Sequence, residues 1–234
     1  MSQSDSSDRA RALSLIPVSR ETEARLDTIV TLLEKWQRTI NLVAPATLPV
    51  IWTRHVADSL QLVPLAGTVR RWVDLGSGGG FPGLVVAAAL AERPESDVTL
   101  VESDSRKAAF LREAARLADL PVTVIPSRIE QVAPRIAAGV EVVSARALAP
   151  LPRLLDLAAP FLAQGATGLF LKGQDVDNEL TESAKSWRID ADITASLTGG
   201  GGHVLIVRRA VPLAADAGAG TPFGTNFSQG DHHE

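Results

Sequence analysis

The 234-residue chain has no cysteine and no tyrosine, and these absences exclude several kinds of site. Without cysteine the chain forms no disulfide, no thiolate zinc centre and no cysteine nucleophile. Six phenylalanines and four tryptophans are few for an aromatic surface that stacks on single-stranded nucleic acid. Two of the four histidines stand in the last three residues, so the sequence does not favour a multi-histidine site and we expect no bound metal.

Long apolar segments are also missing. The longest run covers residues 84–91, far short of the roughly 20 residues that span a bilayer. The first 20 residues contain acids and serines without an apolar core, so no secretory signal is visible. The sequence therefore predicts a cytoplasmic protein without membrane contact. Its 45% hydrophobic and 21% charged residues are typical of a globular fold.

The net charge of −4 argues at first against a nucleic-acid partner. The acids, however, concentrate towards the end of the chain: residues 173–234 hold nine acids and four bases. The first 172 residues are therefore nearly balanced. Arginine outnumbers lysine in the chain, and arginine is the better bidentate partner for phosphate. The charge distribution thus leaves a nucleic-acid partner open.

Composition and periodicity divide the chain into four parts. Residues 1–17 are rich in serine and aspartate, which predicts a flexible N-terminus. Apolar residues then recur at helical spacing, and a second helix is expected over residues 47–63, so residues 18–66 form a predicted helical extension. Residues 67–210 form the main domain, and residues 211–234 lack periodicity and are predicted to be a disordered tail.

Short apolar runs alternate with helical patterns in the main domain. Strands are predicted at residues 72–75, 98–102, 122–126, 140–144 and 168–172, with helices at 82–91, 105–118, 129–136 and 151–162. Two further strands flank the glycines at residues 199–202. The alternation predicts an α/β, Rossmann-like fold: a mostly parallel seven-stranded sheet with helices on both faces and an antiparallel hairpin at its end.

The strongest motif is Asp74-Leu-Gly-Ser-Gly-Gly-Gly-Phe-Pro-Gly83, between the first strand and the next helix. A doubly wound sheet binds nucleotides at that point, and glycine lets the backbone approach a ligand closely. Gly78, Gly80 and Gly83 satisfy the G-x-G-x-x-G pattern of dinucleotide sites, which leaves NAD open as the ligand.

Two features favour S-adenosylmethionine over NAD. Asp74, two residues before Gly76, can orient the loop and bind the amino-acid end of that cofactor directly or through water. Pro82 removes an N–H group that a pyrophosphate would use. Glu102 ends the second strand, where a carboxylate accepts hydrogen bonds from ribose hydroxyls in either kind of cofactor.

A set of short motifs in a fixed order extends beyond the glycine loop. In chain order they are Asn41-Leu-Val, Arg54-His55-Val-Ala-Asp58-Ser59-Leu60, the loop of residues 74–83, Glu102-Ser, Lys107-Ala-Ala-Phe-Leu111, Ser127-Arg-Ile-Glu130, Ser144-Ala-Arg146-Ala and Leu171-Lys-Gly173. Over roughly residues 20–209 the set resembles the bacterial small-subunit ribosomal RNA methyltransferase G family, also called glucose-inhibited division protein B. The most specific combination is Arg-His-x-x-Asp-Ser followed by G-x-G-F-P-G.

The resemblance implies methylation of N7 of guanine 527 in 16S ribosomal RNA, with S-adenosylmethionine as the methyl donor. It implies 16S rRNA or the small ribosomal subunit as the partner, and we expect a monomer. The resemblance and the interpretation of the glycine loop together predict the following cofactor-binding residues: Asp74, Gly76, Gly78, Phe81, Glu102, Ile129, Glu130 and Arg146.

Guanine N7 carries no proton, so this reaction needs no general base. Arg146, Lys172 and His55 are accordingly expected to position the cofactor or the base. Two alternatives stay open: a methyltransferase for another RNA site or a small molecule, and an NAD-binding oxidoreductase with the same fold.

Overall fold

The computed structural model describes the backbone of residues 3–213 and side chains from Ser6 onwards. The strands are β1 (Arg71–Leu75), β2 (Asp97–Val101), β3 (Val122–Ile125), β4 (Val142–Arg146), β5 (Thr167–Lys172), β6 (Trp187–Ala195) and β7 (His203–Pro212). The α-helices are α1 (Gln3–Leu15), α2 (Arg20–Gln37), α3 (Asp58–Leu60), α4 (Leu62–Ala66), α5 (Gly83–Leu90), α6 (Ser105–Leu117), α7 (Ile129–Ile136), α8 (Leu151–Leu162) and α9 (Val176–Ser183). A 3₁₀ helix (Pro45–Val50) and a π-helix (Trp52–Ala57) lie between α2 and α3.

The seven strands form one sheet in the order β3-β2-β1-β4-β5-β7-β6. The first five are parallel, whereas β7 runs antiparallel to both β5 and β6. The predicted α/β fold, with a mostly parallel sheet closed by an antiparallel hairpin, is thus confirmed. Because β1 pairs with β2 on one side and β4 on the other, the strand order reverses there. Open α/β sheets bind their ligands outside the carboxyl ends of the strands at such a reversal.

Both faces of the sheet are covered. In β1, Trp72 packs into the core cluster on one face, and Val73 and Leu75 pack into the cluster on the other, as the two-residue period of a strand requires. Helix α5 is apolar throughout and almost fully buried, because α2 and α3 pack over the side that faces away from the sheet. The helical extension and the sheet therefore share one core.

The N-terminus differs from the prediction. Where the sequence predicts a flexible segment over residues 1–17, the structure has helix α1. The buried Asp8 accepts hydrogen bonds from the backbone of Trp52 and Thr53, and Ala12 packs into the core. These contacts join residues more than 40 positions apart, so local composition does not reveal them.

The second helix of the extension is not continuous. The expected helix over residues 47–63 is a 3₁₀ helix, a π-helix and two short α-helices in succession. Pro45 and Pro49 supply no N–H group to a regular α-helical ladder, which fits the irregular start. π-Helical turns are frequent at functional sites, and this one brings Arg54 and His55 to a cavity at the ends of β1, β2 and β4.

The main domain ends later than the sequence predicts. The predicted boundary at residue 210 is too early, because Val211 and Pro212 still pair with Arg188 and Trp187 in the hairpin of β6 and β7. Most of the predicted tail, residues 214–234, lies outside the described residues. No helix within residues 3–213 is long and apolar enough to cross a membrane.

Candidate active site

A cavity of about 710 Å³ opens where β1, β2 and β4 end. Its volume is in the usual range for small-molecule sites. The lining comprises residues 42–44, 47, 54–55, 76–79, 81, 101–103, 107, 127–130, 146–149, 153 and 157. The first wall consists of the glycine loop after β1 and the end of β2. The second wall consists of the helical extension and the end of β4.

Glycine is required in the loop after β1 for two reasons. Gly78 has a φ of +52°, a left-handed conformation that side chains disfavour, although an added Cβ would come no closer than 3.7 Å to Gly76 O. At Gly79 an added Cβ would lie 2.8 Å from the carbonyl oxygen of Leu42, so the extension and the loop could not approach as they do.

Asp74 lies beneath this loop and is fully buried. Its Oδ2 accepts a hydrogen bond from Gly83 N at 3.3 Å, and its Oδ1 accepts one from Ser144 Oγ at 2.7 Å. Burial raises the pKa of Asp74 to about 7, against the effect of these hydrogen bonds. The sequence predicts that Asp74 orients the loop and binds the cofactor, directly or through water. The structure places the carboxylate outside the cavity lining and bonded to the loop at Gly83, which fits the orienting role and not a direct contact.

Glu102 lies at the cavity, directly after β2. Its Oε2 accepts a hydrogen bond from Gly78 N at 2.8 Å, and its Oε1 accepts one from Asp104 N at 2.7 Å. Glu102 therefore braces the glycine loop, a function that the sequence does not predict. Asp104 caps helix α6 by accepting from Arg106 N and Lys107 N and does not line the cavity.

The loop between β3 and α7 supplies the next part of the lining. Ile129 is nearly buried there, whereas Glu130 is half-exposed and forms an ion pair with Arg153 of α8. Both predicted residues of this loop thus line the cavity. Arg153 joins them from a helix that begins only after β4.

His55 comes from the π-helix and lines the opposite wall. Its Nε2 lies 2.8 Å from Thr47 Oγ1, and its ring centroid lies 4.8 Å from that of Phe81 in the glycine loop. Burial, together with the nearby charges of Arg146 and Arg54, lowers the pKa of His55 to about 3. The imidazole is therefore neutral at physiological pH.

Arg146 is the last residue of β4, two positions beyond the predicted strand end. Its side chain is 11% exposed; its Nη2 donates to Arg54 O at 2.9 Å and its Nη1 lies 3.2 Å from Asp58 Oδ2. Burial lowers the pKa of Arg146 to about 10 although Asp58 opposes the shift, so the guanidinium remains charged at neutral pH. Arg146 thus supplies a fixed cation at the cavity.

Asp58 is the buried centre of this second wall, with a side chain only 4% exposed. Its Oδ1 accepts hydrogen bonds from Gln61 Nε2 at 2.8 Å, Ser196 Oγ at 2.7 Å and Thr198 Oγ1 at 3.2 Å. Asp58 therefore connects the helical extension, Arg146 and the turn between β6 and β7.

Lys172 does not line the cavity. Its Nζ lies 2.6 Å from Glu179 Oε2 and donates to Ala149 O at 3.4 Å. The sequence predicts that Lys172 positions the cofactor or the base. This prediction is wrong, because Lys172 lies outside the cavity lining and forms an ion pair with Glu179 of α9. The lysine supports the lining residue Ala149 from behind.

Sequence reasoning does not assign a role to Thr47, Leu42 or Arg153, all of which line the cavity. Leu42 is held by Gln37, whose Oε1 accepts from Leu42 N at 2.9 Å. The available signal is the Asn41-Leu-Val motif, which recurs in the resemblance but has no local chemistry of its own. For Thr47 and Arg153 no such signal exists.

This sheet order, with an antiparallel seventh strand, a glycine loop after β1 and an acid after β2, defines the class of Rossmann-like methyltransferases. Two solved structures share the fold. The O-methyltransferase from Bacillus cereus, in complex with S-adenosylhomocysteine, has a TM-score of 0.55 at 16% identity, over 87% of this chain and 97% of that one. The O-methyltransferase TomG from Streptomyces achromogenes, in complex with S-adenosylmethionine, has a TM-score of 0.56 at 14% identity, over 89% and 100%.

Sequence comparison narrows this class to one family. The profile of rRNA small subunit methyltransferase G matches residues 22–205. Ribosomal RNA small subunit methyltransferase G of Rhodopseudomonas palustris (strain BisB5) is 53% identical over 223 residues, 94% of this chain and 96% of the relative. The protein of that name from Bradyrhizobium sp. (strain BTAi1 / ATCC BAA-1182) is 56% identical over 200 residues, which cover 86% of this chain and 90% of the relative.

The chain belongs to the rRNA small subunit methyltransferase G family. The family, the methyltransferase class and S-adenosylmethionine as its cofactor, all predicted from the sequence, are thereby confirmed.

Proposed function

We propose that this protein methylates N7 of guanine 527 in 16S rRNA with S-adenosylmethionine as the donor, and that it acts on the small ribosomal subunit or its RNA. The observation that supports the proposal most is that the structure brings distant residues together at one site. The cofactor-binding residues that the family resemblance implies are far apart in the sequence and line one cavity: Gly76, Phe81, Ile129, Glu130 and Arg146.

The residues of the cavity fit this cofactor. S-adenosylmethionine supplies an electrophilic methyl group when it is bound. Gly78 offers a close backbone approach, Glu102 a carboxylate for the ribose hydroxyls, and Ile129 an apolar surface for the adenine. Arg146 supplies the cation that a cofactor carboxylate requires.

The second wall fits a reaction without proton removal. Guanine N7 attacks through a free lone pair, so the protein needs only to hold the reacting atoms in line. His55, with a pKa of about 3, is a poor general base at neutral pH. Its neutrality is also useful, since positive charge moves onto the guanine ring during transfer and a further cation beside Arg54 and Arg146 would oppose it.

Two further cationic side chains at the cavity are candidates for binding phosphates of the RNA backbone. Lys107 and Arg128 belong to the lining, Arg128 is exposed, and neither side chain has an ion-pair partner among residues 6–213. Phosphate contacts supply much of the affinity in protein–RNA complexes. We assign these two residues to rRNA phosphates beside the target base.

The test is to map N7-methylated guanines in 16S rRNA from cells that lack the gene and from cells complemented with variants. Deletion should remove the modification at guanine 527, and the wild-type gene should restore it. Loss at a different guanine, or an unchanged guanine 527 after deletion, contradicts the proposal.

A matched pair of variants ties this phenotype to the cavity. Gly78→Val and Gly165→Val both place a side chain at positive φ, +52° and +90°, with no protein atom within 3.6 Å of the new Cβ. Only Gly78 lines the cavity. We expect Gly165→Val to restore methylation and Gly78→Val to fail while remaining folded, with cofactor affinity reduced more than about 100-fold in calorimetry.

A further inference from the structure

Helix α1 lies outside residues 22–205, the part of the chain that the family profile matches. It nevertheless packs on the π-helix. The buried carboxylate of Asp8 accepts hydrogen bonds from Trp52 N at 2.8 Å, from Thr53 N at 3.2 Å and from the Thr53 hydroxyl. The first two backbone donors of the π-helix are therefore satisfied by a residue that lies more than 40 positions earlier in the chain.

Arg9 secures the same turn from the neighbouring position. Its guanidinium lies 5.1 Å from the centre of the Trp52 ring. It also donates to Asp27 at 2.8 Å and to Glu23 at 3.0 Å, both on α2. The hydrogen bonds from Arg9 to these carboxylates raise its pKa, so the cation is retained. Trp52 and Thr53 are thus fixed against α1, which Arg9 in turn joins to α2.

The next two residues reach the cavity. Arg54 and His55 follow Thr53 directly and belong to the lining. The carbonyl oxygen of Arg54 accepts the 2.9 Å hydrogen bond from Arg146 Nη2. A shift of the Trp52–Thr53 peptide units would therefore move the imidazole and release one of the bonds that hold Arg146.

We infer that α1 is a positioning element of the active site: Asp8 fixes the first turn of the π-helix and thereby the placement of His55 and Arg146. Asp8 itself does not line the cavity, so it acts through these two residues. The inference rests on the proposed function only where cofactor binding is the readout, and a second readout is independent of it.

Asp8→Ala removes all three acceptor contacts. We expect about tenfold weaker binding of S-adenosylmethionine in calorimetry, with Asp8→Asn closer to wild type because its amide oxygen still accepts a hydrogen bond. Val207→Ala, in the core of β7 and outside the cavity lining, controls for a general loss of stability and should leave the affinity unchanged.

The independent readout is the His55 imidazole signal in NMR, assigned by its absence in His55→Asn. Asp8→Ala should move its titration from about pH 3 towards the ordinary value of 6.5, whereas Val207→Ala should not. This measurement needs neither RNA nor cofactor. It therefore distinguishes failure of the positioning role from failure of the proposed methylation site.

Wild-type cofactor affinity together with an unchanged His55 titration in folded Asp8→Ala overturns the inference. If Asp8→Ala does not fold, Thr53→Val decides instead, since it removes only the hydroxyl contact to Asp8. Cofactor binding about threefold weaker, with a shifted His55 signal, then supports the inference. No change in either measurement overturns it.

Discussion

The two walls of the cavity are held by different kinds of contact. In the glycine-loop wall, carboxylates bind backbone N–H groups: Glu102 holds Gly78 and Asp74 holds Gly83. In the wall formed by the helical extension, side chains from distant segments meet, and the buried Asp58 is their centre.

Because of this difference, we expect mutations in the two walls to have different consequences. The first wall is held mainly by contacts within residues 74–104, with the bond from Ser144 to Asp74 as the exception, so a change at Glu102, which lines the cavity, should affect mainly the cofactor. The second wall joins the extension, the end of β4 and the last hairpin, so a change there should reduce the stability of the whole fold.

Asp58→Asn should cause the largest loss of stability. It leaves the Arg146 guanidinium, only 11% exposed, without its counter-charge. Removing one partner of a buried pair typically costs about 3–5 kcal/mol, which urea unfolding at pH 7 would measure.

Arg54→Gln is the matched control for Asp58→Asn. It removes the other cation beside the same carboxylate, at 3.4 Å, from a side chain that is 49% exposed. Its loss should stay below about 1 kcal/mol. Similar small losses in both variants would show that the second wall does not depend on its buried charge.

Asp74→Asn should change how stability depends on pH. Burial raises the pKa of Asp74 from 3.8 to about 7, so the folded state binds the proton more tightly than the unfolded state. The contribution of this group is fully present below pH 3.8 and is lost as the pH rises through about 7. The wild type should therefore lose on the order of 4 kcal/mol relative to Asp74→Asn across this window.

Asp104→Asn is a control with the opposite sign. The backbone N–H groups of Lys107 and Arg106 lower the pKa of Asp104, so its contribution is present at neutral pH and is lost as the pH falls. Chemical unfolding of both variants at several pH values checks the two directions. A pH-independent difference for Asp74→Asn would contradict the burial argument.

The first wall is also the part of the site that the sequence could predict. The glycines that adopt positive φ and the acid at the end of β2 belong to a local pattern. Alternating apolar runs also predicted a parallel sheet, in which both lie at the carboxyl ends of their strands, whereas the order of the strands comes from the structure. The pattern could not separate contact with the cofactor from support of the loop, because the full burial of Asp74 depends on Ser144 from another strand.

The second wall could not be predicted because its contacts are tertiary. Nothing near Asp8 indicates that it meets Thr53, and nothing near Asp58 indicates Ser196, 138 residues later. Lys172 illustrates the same limit. Its place at a strand end predicts a functional cation, and only the packing of α9 shows that Glu179 neutralises it.

Glu102→Ala should have a smaller effect, confined to the first wall. It removes the acceptor for Gly78 N and the proposed partner of the ribose hydroxyls. We expect a loss of about 1–3 kcal/mol in binding, or roughly 10- to 100-fold in affinity by calorimetry. Asp104→Ala should leave affinity unchanged and reduce stability slightly through the lost helix cap.

A 2′-deoxy analogue of S-adenosylhomocysteine separates the two functions of Glu102. If the carboxylate binds the ribose, the wild type should discriminate against the analogue and Glu102→Ala should not. Equal discrimination in both proteins would restrict Glu102 to bracing the loop. A larger affinity loss in Asp104→Ala than in Glu102→Ala would instead identify Asp104 as the ribose partner.

The smallest expected effect concerns His55 and proton chemistry. Because its pKa is about 3, His55 stays neutral across the working range and gains or loses no proton there. Single-turnover methylation of small ribosomal subunits should therefore be nearly flat between about pH 6.5 and 8.5. His55→Asn should lower the rate through positioning without adding a pH dependence.

Saturating cofactor is essential to this measurement, because Asp74 has a pKa of about 7 and its ionisation beneath the glycine loop would otherwise change cofactor occupancy within the same range. With occupancy held constant, any remaining slope reports on the transfer step. A tenfold rise in wild-type rate with pH that disappears in His55→Asn would identify His55 as a general base. The target atom would then carry a proton, so guanine N7 would have to be abandoned, and the second wall would supply chemistry in addition to position.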